Sequence, residues 1–162
     1  MTFDDFADAR LPAVLRFATA LTGDPDLAKD LVQEVLIRVS RRWPDIGQLE
    51  RPEAYVRKMV VNEHLSWRRR SWRLIPSGTG SHLTALPAPD PADGYIDRQA
   101  LLAELAKLSP RQRTALVLRY YEGYSDAEIA DVMGCTQSTV RGHVFKALAA
   151  LRVELDQPLA TA

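Results

Sequence analysis

Residues 124–143 read Tyr-Ser-Asp-Ala-Glu-Ile-Ala-Asp-Val-Met-Gly-Cys-Thr-Gln-Ser-Thr-Val-Arg-Gly-His. The stretch divides into two short helices around a glycine turn. Ser125 is placed to cap the first helix, and Glu128, three residues on, completes a capping box. Ile129, Ala130 and Met133 share an inward face. Gly134 follows the last turn, where a left-handed residue is wanted. Thr136 or Ser138 can cap the second helix. Turning that helix by about 100° per residue puts Val140, Val144, Ala147, Leu148 and Leu151 on one side. Ser138, Arg141, Gly142, Phe145 and Ala149 fall on the other, with Lys146 and Arg152 flanking. This is the layout of a helix-turn-helix, which sets its second helix in the major groove of DNA. An ordinary helical hairpin has the same apolar pattern. A phenylalanine among arginine, serine and glycine, however, suits thymine methyls and phosphates better than plain solvent.

Around this stretch, the 162 residues allow one domain or two small ones. Lys and Arg total 21, as do Asp and Glu, so net charge alone does not point to a polyanion. The distribution does. Residues 1–34 carry Asp4, Asp5, Asp8, Asp24, Asp26, Asp30 and Glu34 against Arg10, Arg16 and Lys29. Residues 51–73 carry Arg51, Arg57, Lys58, Arg68, Arg69, Arg70 and Arg73 against Glu53 and Glu63. The asymmetry suggests one surface for a protein and another for a nucleic acid. A lone cysteine, Cys135, excludes an internal disulfide and a thiolate-rich metal site. No metal or cofactor is expected. The N-terminus is acidic and lacks an apolar run, and no segment approaches the roughly 20 apolar residues of a membrane span. The expectation is a cytoplasmic protein without membrane insertion.

The periodicity is helical throughout, so the expected class is all-α. A first helix spans residues 3–21, anchored by Phe3, Phe6, Val14, Phe17, Ala18 and Leu21, with Pro12 a candidate kink. Gly23-Asp24-Pro25 ends it and starts a second, which runs to about Trp43 and buries Leu27, Leu31, Val35 and Val39. Residues 44–52 read as a loop, and Pro52 opens a third helix that runs to about Trp72. Residues 76–94 crowd proline, glycine and serine and read as a flexible linker. Beyond it, Leu101, Leu102, Leu105 and Leu108 mark another helix. Ser109-Pro110, with Gln112 as capping-box partner, opens the next. The division expected is a first domain over 1–75, a linker over 76–94, a helix-turn-helix domain over 95–155 and a tail over 156–162.

The third helix supplies a second candidate nucleic-acid surface. Tyr55, Lys58, Asn62, Ser66, Arg69 and Arg73 line one side, and Val56, Met59, Val60 and Trp67 the other. An aromatic, an amide and three cations in a stripe can hold phosphates and stack on bases. The preceding Asp45, Ile46, Gly47, Gln48 and Leu49 can shape a pocket for an extruded base. On the second helix, Asp30, Glu34 and Arg38 repeat at four-residue spacing beside Gln33. That pattern fits intrahelical pairing or a docking face for a basic helix.

Together these residues resemble a group 4, extracytoplasmic-function RNA polymerase sigma factor of the sigma-70 family, in the actinobacterial sigma-E-like subfamily. Asp30-Leu31-Val32-Gln33-Glu34-Val35 resembles region 2.2, and residues 54–62 resemble regions 2.3 and 2.4. Residues 108–113 and 118–125 resemble region 4.1 running into 4.2. The resemblance implies a region 2-like bundle and a region 4-like helix-turn-helix joined by the linker. It implies docking on the β′ clamp helices of core polymerase through Asp30, Gln33, Glu34 and Arg38. It implies −10 promoter contacts from Asp45, Ile46, Gln48, Leu49, Tyr55, Lys58, Asn62, Ser66, Arg69 and Arg70. It implies −35 contacts from Ser138, Thr139, Arg141, Gly142, Phe145 and Lys146, with region 4 also on the β flap. An anti-sigma factor is the further partner implied. Gly142 and His143 stand where many relatives carry serine and arginine, which bears on the −35 bases preferred.

Two other classes fit parts of the sequence. A regulator of the LuxR type shares the Ser-x-x-Glu-Ile-Ala…Thr-Val-x-x-His pattern, but calls for an upstream ligand or phospho-acceptor domain that the N-terminal half does not suggest. An enzyme is disfavoured because His64, His82 and His143 fall on different elements and no triad, phosphate loop or paired metal ligands emerge.

Overall fold

Thr2 opens the first helix by a capping box: its hydroxyl accepts from the Asp5 amide, and the Asp5 carboxylate accepts from the Thr2 amide. The structure is a computed structural model that describes residues 1–72 and 103–155, with side chains for 1–67 and 103–151. The chain divides between Leu86 and Pro87 into two compact units.

In the N-terminal unit, α1 (Phe3–Thr22) is one continuous helix that passes through an exposed Pro12. It stops at Gly23, whose φ of 72° is left-handed and whose amide donates to the Thr19 carbonyl at 2.8 Å. Asp24 then caps α2 (Pro25–Arg41), its Oδ1 accepting from the Asp26 and Leu27 amides at 2.9 and 3.3 Å. The helix ends two residues short of Trp43, and part of the expected loop is instead a one-turn helix, α3 (Trp43–Ile46). Tertiary burial explains the difference. The Trp43 ring lies 5.8 Å edge-on from Phe3 and 4.9 Å from Phe6, and its indole N–H donates to the Met1 carbonyl at 3.2 Å. Ile46 goes into the core. Pro44 fits the first turn of such a helix. The last element, α4 (Pro52–Trp72), packs on both α1 and α2. Phe6, Val14, Phe17, Leu21, Val35, Val39, Val56 and Val60 fill the space between the three long helices.

In the C-terminal unit, residues 103–106 are helical and Leu108 is buried. Ser109 and Gln112 form the capping box anticipated for α5 (Pro110–Leu116). The helix continues as a π turn over Val117–Tyr121, with the Glu122 amide donating to the Val117 carbonyl at 3.2 Å. Then come α6 (Asp126–Met133) and α7 (Gln137–Leu155); α7 packs on α5, and α6 packs on α7 and the π turn, around Leu118, Ile129, Val140, Val144 and Ala147. Among the described residues there is no strand, as the periodicity anticipates. Leu101, Leu102, the stretch 76–94 and the tail 156–162 lie outside the described residues.

Candidate functional site

The helix-turn-helix is built by local chemistry. Ser125 accepts from the Glu128 amide at 3.2 Å, and the Glu128 carboxylate accepts from the Ser125 amide at 2.8 Å. Gly134 takes a φ of 67°, which an L side chain resists, and the Cys135 amide then reaches back to the Ala130 carbonyl at 3.1 Å. Of the two caps anticipated for α7, Thr136 acts: its hydroxyl accepts from the Thr139 amide at 3.1 Å and lies 2.9 Å from the Thr139 hydroxyl. Val140, Val144 and Ala147 point inward. Ser138, Thr139, Arg141, Gly142, Phe145 and Lys146 are all exposed, so the six candidate −35 residues share one accessible face. Phe145 is 73% exposed, which is costly in water for a residue without a partner surface.

Arg141 is not isolated on that face. Its Nη1 lies 3.6 Å from Oδ2 of Asp126, the first residue of α6. The other oxygen of the same carboxylate pairs with Arg119 of the π turn. Asp126 was not legible in the sequence, because its partners lie seven residues before and fifteen after it, outside the three- and four-residue spacing at which helix neighbours pair.

His143 is half-buried, at the border of the inward face. Burial disfavours its charged form, and the cations Arg111 and Lys146 add to this, so its pKa falls below the ordinary histidine value. The sign follows. Below pH ~6.5 the unfolded chain takes a proton that the folded state resists, so stability is lost as pH falls through that value toward the lower folded one. Melts of the full chain at pH 7.5 and pH 5 should therefore show a smaller acid loss for His143→Gln than for the parent. Equal losses would remove His143 from the account.

On α4, Tyr55, Lys58 and Ser66 are half-buried and Asn62 is exposed, all in the stripe anticipated. The side chains of Arg69, Arg70 and Arg73 lie outside the described residues. Trp67, expected on the inward side, is 40% exposed. Its neighbours in a cleft of about 110 Å³ are Leu27, Asp30, Leu31, Glu34, Glu63 and His64. Arg57 anchors the start of α4. It pairs with Glu53 at 2.7 Å, lies 5.9 Å from the centre of the Phe17 ring, and Glu53 in turn meets Arg10 at 3.3 Å.

In the segment before α4, Asp45, Gln48 and Leu49 are exposed, but Ile46 is only 2% exposed. Ile46 supports the segment from beneath and does not face a ligand. At Gly47 a Cβ would stand 3.0 Å from the Trp43 ring and carbonyl, so the absence of a side chain lets the backbone close over the indole. On α2, Asp30, Gln33 and Glu34 are exposed in a row. Arg38 crosses to α4 and pairs with Glu63, whose side chain is 10% exposed. Its guanidinium therefore tethers two helices as well as edging that row.

Among the described residues, no group of His, Cys, Asp and Glu could hold a metal ion, and no helix is long and apolar enough to cross a membrane.

Residues 6–74 match the family model of sigma-70 region 2, and residues 98–151 that of sigma-70 region 4. The chain is similar to the RNA polymerase sigma-E factor of Streptomyces avermitilis, 34% identical over 157 residues, covering 96% of this chain and 86% of the relative. It is also similar to the ECF RNA polymerase sigma factor SigL of Mycobacterium tuberculosis, 32% identical over 155 residues, covering 93% and 86%. Among solved structures, a co-crystal of the sigma factor RpoE with the anti-sigma factor NepR from Bartonella quintana aligns with a TM-score of 0.73. The identity there is 26%, covering 96% of this chain and 98% of that one.

Proposed function

We propose a function from one premise: the chain belongs to the sigma-70 family of RNA polymerase sigma factors. It is a promoter-recognising factor of transcription initiation, and it binds core RNA polymerase and promoter DNA. The observation that carries the reading is the order of its parts: a region 2 bundle, then a region 4 helix-turn-helix with an exposed reading face on α7.

The roles of individual residues follow as our reading. Asp30, Gln33 and Glu34 form the row that meets the β′ clamp helices, with Arg38 at its edge. Tyr55, Lys58, Asn62 and Ser66 of α4, continued by Arg69 and Arg70, contact −10 DNA. Asp45, Gln48 and Leu49 approach an unstacked base, over the support given by Ile46 and Trp43. Ser138, Thr139, Arg141, Gly142, Phe145 and Lys146 enter the major groove at −35, and the same unit meets the β flap. Residues 76–94 act as the tether between two modest contacts, so that engaging one raises the effective concentration of the other. The division into 1–75, 95–155 and a tail belongs to this reading. The family is not normally catalytic, and we assign the chemistry of RNA synthesis to the polymerase. By likeness to the RpoE–NepR pair, an anti-sigma factor is the further partner, and action in the cytoplasm follows from the polymerase.

The docking row gives the direct test. Changing Gln33 and Glu34 together to Ala should weaken capture of core polymerase by about tenfold or more if the row is a binding hot spot. Both side chains are exposed, so thermal stability should hold within about 0.5 kcal/mol. Undiminished capture would count against the row. Tight, specific promoter binding by the chain without polymerase would instead favour a stand-alone regulator.

A further inference from the structure

We propose that Asp126 is a positioning residue for promoter reading: its carboxylate, fixed by Arg119, holds the Arg141 guanidinium at the groove-facing side of α7. The inference rests on the reading of Arg141 as a −35 contact.

The carboxylate is fixed from two directions. Asp126 opens α6, where the helix N-terminus favours a negative charge. Its Oδ1 pairs with Nη2 of Arg119, on the π turn that ends the preceding helix. Its side chain is 21% exposed and that of Arg119 29%, so this pair is partly shielded from water. Oδ2 faces Nη1 of Arg141, whose side chain is 59% exposed. The 3.6 Å separation is longer than a hydrogen bond. The contact is thus an electrostatic tether at one corner of a guanidinium with five N–H donors. The other donors can still meet a guanine edge, the commonest bidentate contact of arginine in the major groove.

A long exposed arginine samples many rotamers, and ordering it on binding opposes affinity. A fixed negative charge beside one corner narrows that sampling before DNA arrives. The elements that bring the three residues together are the π turn, the start of α6 and the first turns of α7. Asp126 therefore acts on base choice through Arg141 without touching a base. Of the two pairs only that with Arg141 is exposed, and such a pair contributes little to stability, so its loss should register in selectivity.

The test is transcription in vitro by core polymerase with the full chain, on templates whose −35 positions are varied one at a time. The chains are the parent, Asp126→Asn, Asp126→Glu, Arg141→Ala and the double variant Asp126→Asn with Arg141→Ala. Asp126→Asn should reduce base preference about two- to fivefold at the position where Arg141→Ala abolishes it, and nowhere else. Asp126→Glu, which keeps the charge, should restore most of that preference. The double variant should match Arg141→Ala, since the carboxylate has nothing left to position. Preference is a ratio between templates, so partial unfolding of a variant does not imitate the effect. An Asp126→Asn chain with the parent's preference, or with losses spread over all positions, overturns the proposal. So does an effect that adds fully to that of Arg141→Ala. If Arg141→Ala itself leaves −35 preference intact, the reading of Arg141 falls first and the tether with it.

Discussion

Phe17→Ala is expected to remove most of the stability of the N-terminal unit. The ring is fully buried, and truncating such a phenylalanine costs about 3–5 kcal/mol in lost transfer energy and cavity. A small helical unit has only about 5–15 kcal/mol in total, with short ones at the low end. The effect reaches the promoter-contacting helix directly. Arg57 of α4 lies over this ring, and its pairing with Glu53 and that of Glu53 with Arg10 bind α4 to α1. Denaturant unfolding followed by tryptophan emission reports on this unit, since Trp43, Trp67 and Trp72 all lie in it. A loss below about 1 kcal/mol would mean that the site collapses onto the cavity and that the core does not depend on Phe17.

Arg141→Ala is expected to weaken −35-dependent initiation by roughly five- to 150-fold, from the roughly 1–3 kcal/mol of a lost bidentate base contact. The loss should depend on sequence and should relax discrimination at one base pair. Lys146→Ala is the useful contrast. As a phosphate contact it should lower initiation evenly across −35 sequences and reduce the salt dependence. Transcription from a promoter series at two salt concentrations separates these outcomes. An Arg141→Ala chain that initiates like the parent on every template would remove the base-reading role.

The parts of the fold that were legible in the sequence are those fixed by residues close along the chain. The Ser109–Gln112 and Ser125–Glu128 capping boxes, the glycine at 134 and the inward stripe Val140, Val144 and Ala147 each need only spacing and side-chain type. What escaped depends on distant partners. Residues 43–46 lack the length to signal a helix, and the turn exists because Phe3 and Phe6, some forty positions earlier, receive Trp43. Ile46 reads as a loop residue until that turn points it inward. The repeat of Asp30, Glu34 and Arg38 suggests a pairing within α2, whereas Arg38 reaches Glu63 on another helix. The candidate reading face of α7 was legible almost residue by residue, because helix periodicity separates it from the core. Its tether to Asp126 was not, since three elements must fold before those charges meet.

The capping boxes at Thr2, Ser109 and Ser125 have a kinetic consequence. Each is closed between residues three apart, so helix boundaries are set before any long loop has to be ordered. Helical domains dominated by such short-range contacts fold in microseconds to milliseconds. Each unit can therefore regain its shape quickly between encounters. Availability of this chain is then governed by which partner holds it, and not by how long it takes to refold.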